Sequence, residues 1–145
     1  LAPLGHGGLM LGIMRGFQAL KRSHQISDLP FFIGGQSEYC SPSADKFDHK
    51  SVGFVNDHVT IAEGIRVISP VRGDAILSFL EHNNGMIIRV SESEILPAAH
   101  ELAERGIHVE PTSAITWAAL QKIRNELVGP VVLIQTGAGL KTSQS

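Results

Sequence analysis

The sequence predicts a three-layer α/β/α domain built on a mostly parallel sheet, and three observations support this prediction. Strand-like apolar runs alternate with stretches whose apolar residues recur at spacings of three and four. The last run, Val131 to Ile134, is almost continuously aliphatic, as in a strand that a parallel sheet buries on both faces. The 145 residues are 43% hydrophobic and 18% charged, which suffices for the core of one domain.

The first elements are a short strand, Ala2 to Leu4, and a glycine turn. A helix follows to about Arg22, because six residues form one apolar face at helical spacing: Leu9, Met10, Ile13, Met14, Phe17 and Leu20. Phe31 to Gln36 predicts a buried strand introduced by Pro30. The polar stretch 37–57 predicts a long loop with a short helical piece.

In the middle of the chain, residues 60–66 predict a turn or short helix, and residues 74–82 predict a helix. Met86 to Val90 is a compact apolar strand. Ser91 followed by Glu94 has the spacing of a capping box at a helix start. Pro97 would remove a helical hydrogen bond, so the helix is expected to begin later than Ser91 or to kink.

The last elements are a short strand over Ile107 to Glu110, a helix over Ala114 to Leu127 and a final strand over Pro130 to Gln135. Pro111 suits the first turn of that helix. We expect residues 1–141 to form a single domain and residues 142–145 to be a flexible tail.

Composition excludes several classes of partner. The 12 basic and 14 acidic residues nearly cancel, which argues against nucleic acid and anionic membranes. No uncharged apolar run reaches the roughly 18 residues of a membrane span. Cys40 is the only cysteine, so no internal disulfide is expected and a reducing, cytoplasmic location is favoured. His49 and His58 lack further ligands at suitable spacing, so no metal site is expected.

The glycine turn after the first strand is a candidate anion site. Gly5-His6-Gly7-Gly8-Leu9 joins a strand to a helix start, where backbone N–H groups and the positive end of the helix converge. Glycines let a phosphate approach the main chain and tolerate a positive φ. The spacing alone leaves open that these glycines only make a tight turn.

Two further segments follow predicted strands, Glu110 to Ser113 and Gln135 to Gly139. Ligand crevices of open α/β sheets lie at the carboxyl ends of strands. A Thr136 hydroxyl there could bind a pyridine-type nitrogen without requiring its protonation, and Gly137 and Gly139 would leave room for a flat ring. From local sequence alone, the more frequent role of such residues is in caps and turns.

Three stretches together resemble a known family: PLGHGGLMLGIMRGF, TIAEGIRV with SPVRGDAI, and VEPTSAITWAAL followed by VVLIQTGAGLK. They resemble the fold-type-II pyridoxal-phosphate (PLP) enzymes, the tryptophan synthase β-like superfamily. Within it, the chain is most similar to threonine synthases and their relatives the threonine dehydratases. The resemblance extends from Leu1 to Lys141 and implies the large-domain portion of such an enzyme.

The resemblance implies a PLP cradle. Thr136 would face the pyridine nitrogen, Glu110 and Ser113 would lie near the cofactor, and residues 60–64 would line the cleft. The phosphate would be held by Gly5, His6, Gly7, Gly8 and the N–H of Leu9. Two positions depart from the family pattern, since His6 stands where relatives often have asparagine and Ala138 where many have histidine.

No catalytic residue is assigned, because the Schiff-base lysine of this family lies upstream of the phosphate loop. No lysine here falls in a matching motif: not Lys21, Lys46, Lys50, Lys122 or Lys141.

We therefore expect these residues to be a C-terminal part of a PLP-dependent lyase that is inactive alone. Threonine synthesis from O-phosphohomoserine is the first expectation for the complete protein, with threonine or serine deamination second. A noncatalytic folding or assembly module is a further alternative for these residues alone. The expected partners are a small amino-acid substrate and further copies of the chain.

Overall fold

The computed structural model describes residues 1–51, 58–83 and 85–139, so Lys141 and the expected tail 142–145 lie outside the described residues. The strands and helices follow one another along the chain in this order: β1 (Ala2–Pro3), α1 (Gly8–Arg22), β2 (Ile33–Ser37), α2 (Pro42–Phe47), a 3₁₀ turn (Glu63–Ile65), α3 (Gly73–His82), β3 (Met86–Val90), α4 (Glu92–Glu104) and α5 (Pro111–Ile123). The predicted helix after the glycine turn, the short helical piece in the polar stretch and the 86–90 strand are confirmed.

The sheet has the order β1-β2-β3, and both neighbouring pairs are parallel. The central strand β2 carries two glycines because its neighbours come close on both faces. A Cβ at Gly34 would lie 2.9 Å from Leu4 Cδ2, whereas a Cβ at Gly35 would lie 2.7 Å from Ile115 Cγ2. Helix α5 can therefore pack directly on the strand backbone.

The helices form one layer on each face of this sheet. Ile87 of β3 belongs to a core that includes buried residues of α1 and α3, among them Met14 and Leu80. Ile88 and Val90 point to the opposite face, where they pack with α4 and α5. The predicted three-layer α/β/α arrangement on a parallel sheet is confirmed.

Helix α4 begins directly after Ser91, as the capping-box spacing predicted. The Ser91 N–H donates to Glu94 Oε2 at 2.8 Å, and both bonds of the box are present. The later start inferred from Pro97 is wrong, because Pro97 lies inside α4. The cap and the fully buried Ile95 hold the first turns of the helix in spite of the missing N–H group.

Two predicted strands do not form. In the 107–110 segment, Val109 makes only an isolated antiparallel bridge with Ala138. In the 130–135 segment, Val132 O accepts from the Leu1 nitrogen at 2.8 Å, and Ile134 N donates to Leu1 O at 3.0 Å. This segment extends beside β1, which is too short to build a ladder.

The burial predicted for the 131–134 run is wrong as well. Val131 is 41% exposed and Val132 is 67% exposed, because no described element covers this edge. Helix α5 also differs from its predicted range, since it begins at Pro111 and ends at Ile123, the last residue of its buried face. No helix in the described ranges has the length and apolar character needed to cross a membrane.

Candidate functional site

The glycine turn between β1 and α1 has the backbone geometry expected of an anion site. Gly7 is the N-cap of α1 and has φ 88°, a left-handed conformation that favours glycine. A Cβ at Gly7 would also collide with Ile76 of α3. The left-handed conformation therefore favours glycine at this position, and the close approach of the Ile76 side chain adds to that preference.

The N–H groups of residues 5–10 donate no hydrogen bond to any described residue, and the first helical bond runs from Leu11 N to Gly7 O at 2.9 Å. Gly8 and Leu9 are exposed to solvent, whereas Gly5 is buried. The open side of the turn therefore presents unpaired donors at the positive end of a 15-residue helix. This arrangement suits a phosphate group.

Arg72 is a cation beside the turn that sequence reasoning did not assign. Its backbone N–H donates to His6 O at 3.3 Å, which ties the start of α3 to the turn. Its guanidinium Nη1 would lie 3.9 Å from a Cβ placed on Gly8. Arg72 is exposed and forms no ion pair within the described part of the chain. Its position inside the SPVRGDAI stretch could have indicated it.

A second part of the site is built on the first turn of α5. Ser113 is fully buried, and its Oγ accepts from Thr136 N at 3.0 Å and from Gly137 N at 2.9 Å. Its Oγ also lies 3.2 Å from Thr136 Oγ1. Thr136 itself is exposed, so its hydroxyl can reach a ligand while Ser113 lies behind it.

Glu110, the N-cap of α5, packs against the same segment. Its backbone N–H donates to Gly137 O at 3.1 Å, and its carboxyl lies where a Cβ of Gly137 would be. The space above Gly139 is likewise filled, because a Cβ there would lie 2.9 Å from Val109 O. On these faces, Gly137 and Gly139 allow close packing against residues 109 and 110 rather than leaving the expected room for a flat ring.

The 3₁₀ turn connects the two parts of the site. Gly64 N donates to Thr112 Oγ1 at 3.1 Å, and a Cβ at Gly5 would lie 3.1 Å from the Cα of Ile65. Thr60 is buried and its hydroxyl accepts from Ala62 N at 3.1 Å, so it stabilises this turn. The segment 60–64 therefore lies between the glycine turn and the start of α5.

The described lysines lie at a helix end or in ion pairs. Lys21 is in the last turn of α1, and the other three form ion pairs: Lys46 with Asp74, Lys50 with Asp48 and Lys122 with Glu94. None of these four pairs with a residue of the candidate site in the part of the chain that the structure describes.

The other residues considered from the sequence lie apart from the site. Cys40 is buried, and burial raises the pKa of its thiol, which lowers its reactivity. The His58 ring stacks on Tyr39 with 4.9 Å between centroids. Trp117 is half-buried and donates through Nε1 to Glu101 at 2.8 Å. Within the described ranges, no three histidine, cysteine or acidic residues are grouped as metal ligands.

With this geometry in view, the comparison with known families is decisive. The model of the family described as pyridoxal-phosphate dependent enzymes matches residues 1–137. The chain belongs to this family. The match includes the glycine turn, the 3₁₀ turn, Ser113 and Thr136, so all parts of the candidate site lie within it.

Similar proteins include the threonine synthase of Methanocaldococcus jannaschii, which is 31% identical over 97% of this chain and 36% of the relative. The L-threo-3-hydroxyaspartate ammonia-lyase of Saccharomyces cerevisiae is 30% identical over 94% of this chain and 40% of the relative. The chain therefore spans about two fifths or less of the length of these PLP-family relatives.

Among solved structures, a threonine deaminase from T.th. has a TM-score of 0.64 and 26% identity, and the match covers 88% of this chain and 44% of that one. Maize serine racemase, with a TM-score of 0.58 and 24% identity over 81% of this chain and 35% of that one, supports the fold alone. The residues of this PLP-family chain fit the cofactor by their chemistry. Unpaired N–H groups and a guanidinium suit a phosphate, and an exposed hydroxyl suits a ring nitrogen.

Proposed function

We propose that this chain provides the phosphate and ring-nitrogen contacts for PLP in an amino-acid lyase. The observation that carries this proposal is the row of N–H groups at residues 5–10 that donate to no described residue, located at the start of α1 in a member of the PLP family. Pyridoxal phosphate, when bound, supplies an electron sink for chemistry at the β- or γ-position of an amino acid.

In this proposal each part of the site has one task. Gly5, His6, Gly7, Gly8 and Leu9 donate main-chain N–H groups to the phosphate, and Arg72 adds a positive charge beside Gly8. Thr136 donates its hydroxyl to the ring nitrogen. Because Glu110 covers Gly137, its carboxyl borders the ring site and stabilises the segment that carries Thr136.

For the complete protein we propose threonine synthesis from O-phosphohomoserine. Several similar proteins are threonine synthases, at 31% and 33% identity in two cases. Deamination of threonine or serine is the second candidate, and the similarity to a threonine deaminase structure favours it. These 145 residues alone are proposed to lack the Schiff-base lysine, since the described lysines have other surroundings.

The test is a titration of the ¹⁵N-labelled chain, first with inorganic phosphate and then with PLP, followed by NMR. We expect the amide signals of Gly5, Gly7, Gly8 and Leu9 to shift. Gly106 and Gly129 also have positive φ but do not belong to the turn, so their signals serve as internal controls. Shifts confined to other residues would contradict this location of the cofactor phosphate.

A second measurement concerns the lysine. Borohydride treatment of the chain with PLP should not label any one lysine stoichiometrically, because noncovalent binding needs no Schiff base. Mass spectrometry after digestion measures this directly. A stoichiometric adduct at one lysine would show that the catalytic lysine is present after all.

We also propose a cytoplasmic protein, which the single buried Cys40 supports.

A further inference from the structure

Gln36 is a polar side chain in the central strand of the sheet that is closed to solvent. It lies in β2, and its exposed fraction is 0%. Its Nε2 donates to Leu4 O at 3.1 Å, and its Oε1 accepts from Ala44 N at 3.0 Å. The Ala44 N–H belongs to the first turn of α2, where helical N–H groups have no partner within the helix. The amide of Gln36 therefore links the end of β1 to the start of α2.

The Leu4 carbonyl is the last main-chain acceptor before the glycine turn. Leu4 N donates to Gly35 O at 2.9 Å, so β2 holds this residue on both sides. The next peptide unit joins Leu4 to Gly5, and it is trans. Because a trans peptide is planar, its C=O and N–H point in opposite directions. The bond from Gln36 to Leu4 O therefore directs the Gly5 N–H away from Gln36.

The Gly5 N–H is the first in the row of donors at the start of α1. Gly5 is buried, and its N–H donates to no described residue. Gly8 and Leu9 are exposed, so water can accept from their N–H groups. A buried N–H without an acceptor is unfavourable, and an anion at the turn would provide one. The Gly5 N–H therefore gains most from a bound anion, provided that it points at it.

We infer that Gln36 is a positioning residue of the anion site, which holds the Leu4 carbonyl and thereby aims the Gly5 N–H at a bound phosphate. This inference rests on the proposed function and adds a residue that lies outside the glycine turn. Since Gln36 is fully buried, it acts through the Leu4–Gly5 peptide and not by touching the ligand.

The two partners of Gln36 require a side chain of fixed polarity. Leu4 O needs a donor, and Ala44 N needs an acceptor. A neutral carboxyl group meets both needs, whereas a carboxylate can only accept and would place a negative oxygen against Leu4 O. Gln36→Glu should therefore position the turn when the new carboxyl group is protonated and misplace it when that group is ionised. Burial raises the pKa of such a carboxyl group, which brings the change toward neutral pH.

The experiment titrates the ¹⁵N-labelled chain with sodium sulfate from weakly acidic to weakly alkaline pH and follows the amide signals by NMR. Sulfate is the probe because it remains a dianion over this range, whereas phosphate takes up a proton. We expect Gln36→Glu to bind sulfate like the wild type at the acidic end. At the alkaline end it should bind about tenfold more weakly, as for a lost hydrogen bond to a charged group. Each affinity is compared with that of the wild type at the same pH, so protonation of His6 affects both proteins alike.

Gln36→Met and Ser43→Ala complete the set of variants. Methionine has a similar volume but cannot donate, so Gln36→Met should weaken sulfate binding about tenfold at every pH. It should reduce the sulfate-induced shift of Gly5 more than the shifts of Gly8 and Leu9. Ser43→Ala is the control for a change in α2, since Ser43 is 1% exposed and its hydroxyl has no hydrogen-bond partner among the described residues. This variant should bind sulfate like the wild type.

A measurement on the wild type does not depend on the folding of any variant. When the Gly5 N–H donates to sulfate, the Leu4 carbonyl of the same peptide becomes a stronger acceptor, because linked hydrogen bonds polarise one another. The side-chain N–H signals of Gln36 should therefore shift with the same sulfate dependence as the Gly5 amide.

The outcomes separate this inference from the proposed function. Suppose that sulfate binds the turn of the wild type, yet a folded Gln36→Met binds it equally well or Gln36→Glu binds it no more weakly at alkaline pH. The inference is then wrong and the proposed function stands. The same conclusion follows if the Gln36 signals stay unmoved while Gly5 shifts, or if Gln36→Met reduces the shifts of Gly5, Gly8 and Leu9 equally. If sulfate and phosphate leave the turn unmoved in the wild type, the proposed function fails and the inference fails with it.

Discussion

At the scale of single residues, Gly7 combines a left-handed backbone conformation with close packing against Ile76. Gly7→Val would combine a strained left-handed conformation with a collision against Ile76. We expect the phosphate-induced amide shifts to disappear and the free energy of unfolding to fall by about 1–3 kcal/mol. NMR titration and urea unfolding measure the two effects.

The matched control for that change is Gly16→Val on the same helix. A Cβ at Gly16 meets no atom within 4 Å, and φ there is not positive. This variant should bind phosphate like the wild type and keep its stability, because valine is a better helix former than glycine. Equal loss of phosphate binding in both variants would show that the turn has no special role.

Arg72 allows a second test at the residue scale. Arg72→Ala removes the guanidinium near Gly8, and we expect phosphate affinity to fall about tenfold, as for a lost hydrogen bond to a charged group. The difference from wild type should shrink at high salt because exposed charges are screened. Isothermal titration calorimetry measures both effects.

Arg15→Ala is the control, since Arg15 is an exposed arginine within α1, away from the glycine turn. Its removal changes the net charge by the same amount but should leave phosphate affinity nearly unchanged. If both arginine variants lose affinity equally, the effect of Arg72 is one of net charge rather than of position.

At the scale of secondary-structure elements, Arg89 links β3 to α2. Its guanidinium bonds Asp45 Oδ1 at 2.7 Å and Asp48 Oδ2 at 2.6 Å. The hydrogen bond from Arg89 lowers the pKa of Asp48 below its ordinary value. This stabilisation is therefore complete above the unfolded-state pKa of the carboxyl and is lost as the pH falls through its lowered folded-state pKa.

The corresponding variant is Arg89→Gln. At neutral pH it should unfold at a lower urea concentration than the wild type, because α2 loses its ion pairs with the sheet. The difference in unfolding free energy between the wild type and Arg89→Gln should become smaller as the pH falls through the pKa of Asp48. A gap that stays constant down to strongly acidic pH would show that the pairing with Asp48 contributes nothing to stability.

The start of α5 is the element that organises the part of the candidate site that carries Thr136. Thr116 Oγ1 accepts from Gln135 Nε2 at 2.9 Å and donates to Ser113 O at 2.9 Å. With the bonds of Ser113 to Thr136 and Gly137, the first turns of α5 hold the whole 135–137 segment. A segment without strand structure of its own thus has a defined position through side-chain hydrogen bonds.

At the scale of the whole molecule, the exposed edge beside β1 predicts self-association. An apolar cleft of about 380 Å³ lies along this edge, with Phe31, Val131 and Val132 among its lining residues. We propose that copies of the chain associate here, because exposed valines beside an unfilled apolar cleft favour contact with another apolar surface. Sedimentation velocity should show dimers or larger assemblies.

Val132→Lys should shift that equilibrium toward monomers by placing a charge in the contact. Val59→Lys is the control, since Val59 is 60% exposed and Val132 is 67% exposed, but only Val132 lines the cleft. A monomer at high concentration for the wild type would refute the proposed association. Equal effects of both substitutions would refute its location at this edge.

Much of the fold and part of the site could be predicted from the sequence, because they depend on neighbouring residues. The capping box of Ser91 and Glu94, the helix after the glycine turn and the strand over 86–90 are local patterns. The glycine turn belongs with them, since both the free N–H groups and the helix start lie within a few residues of each other. Residue spacing therefore contained the information for each of these features.

The rest depends on contacts between residues far apart in the chain. The apolar run 131–134 has the composition of a buried strand, yet its neighbour offers only Leu1 as a bonding partner and nothing described covers Val132. Residues 109 and 110 occupy the space beside Gly137 and Gly139, the two glycines after Thr136. Arg72 comes beside Gly8 only when α3 packs on α1. The sequence by itself determined the family, the layer order and the glycine turn before α1, because local periodicity and motif order carry them. Tertiary structure alone decided which edge is exposed and which hydroxyl is buried behind Thr136, because both follow from long-range packing that no local pattern specifies.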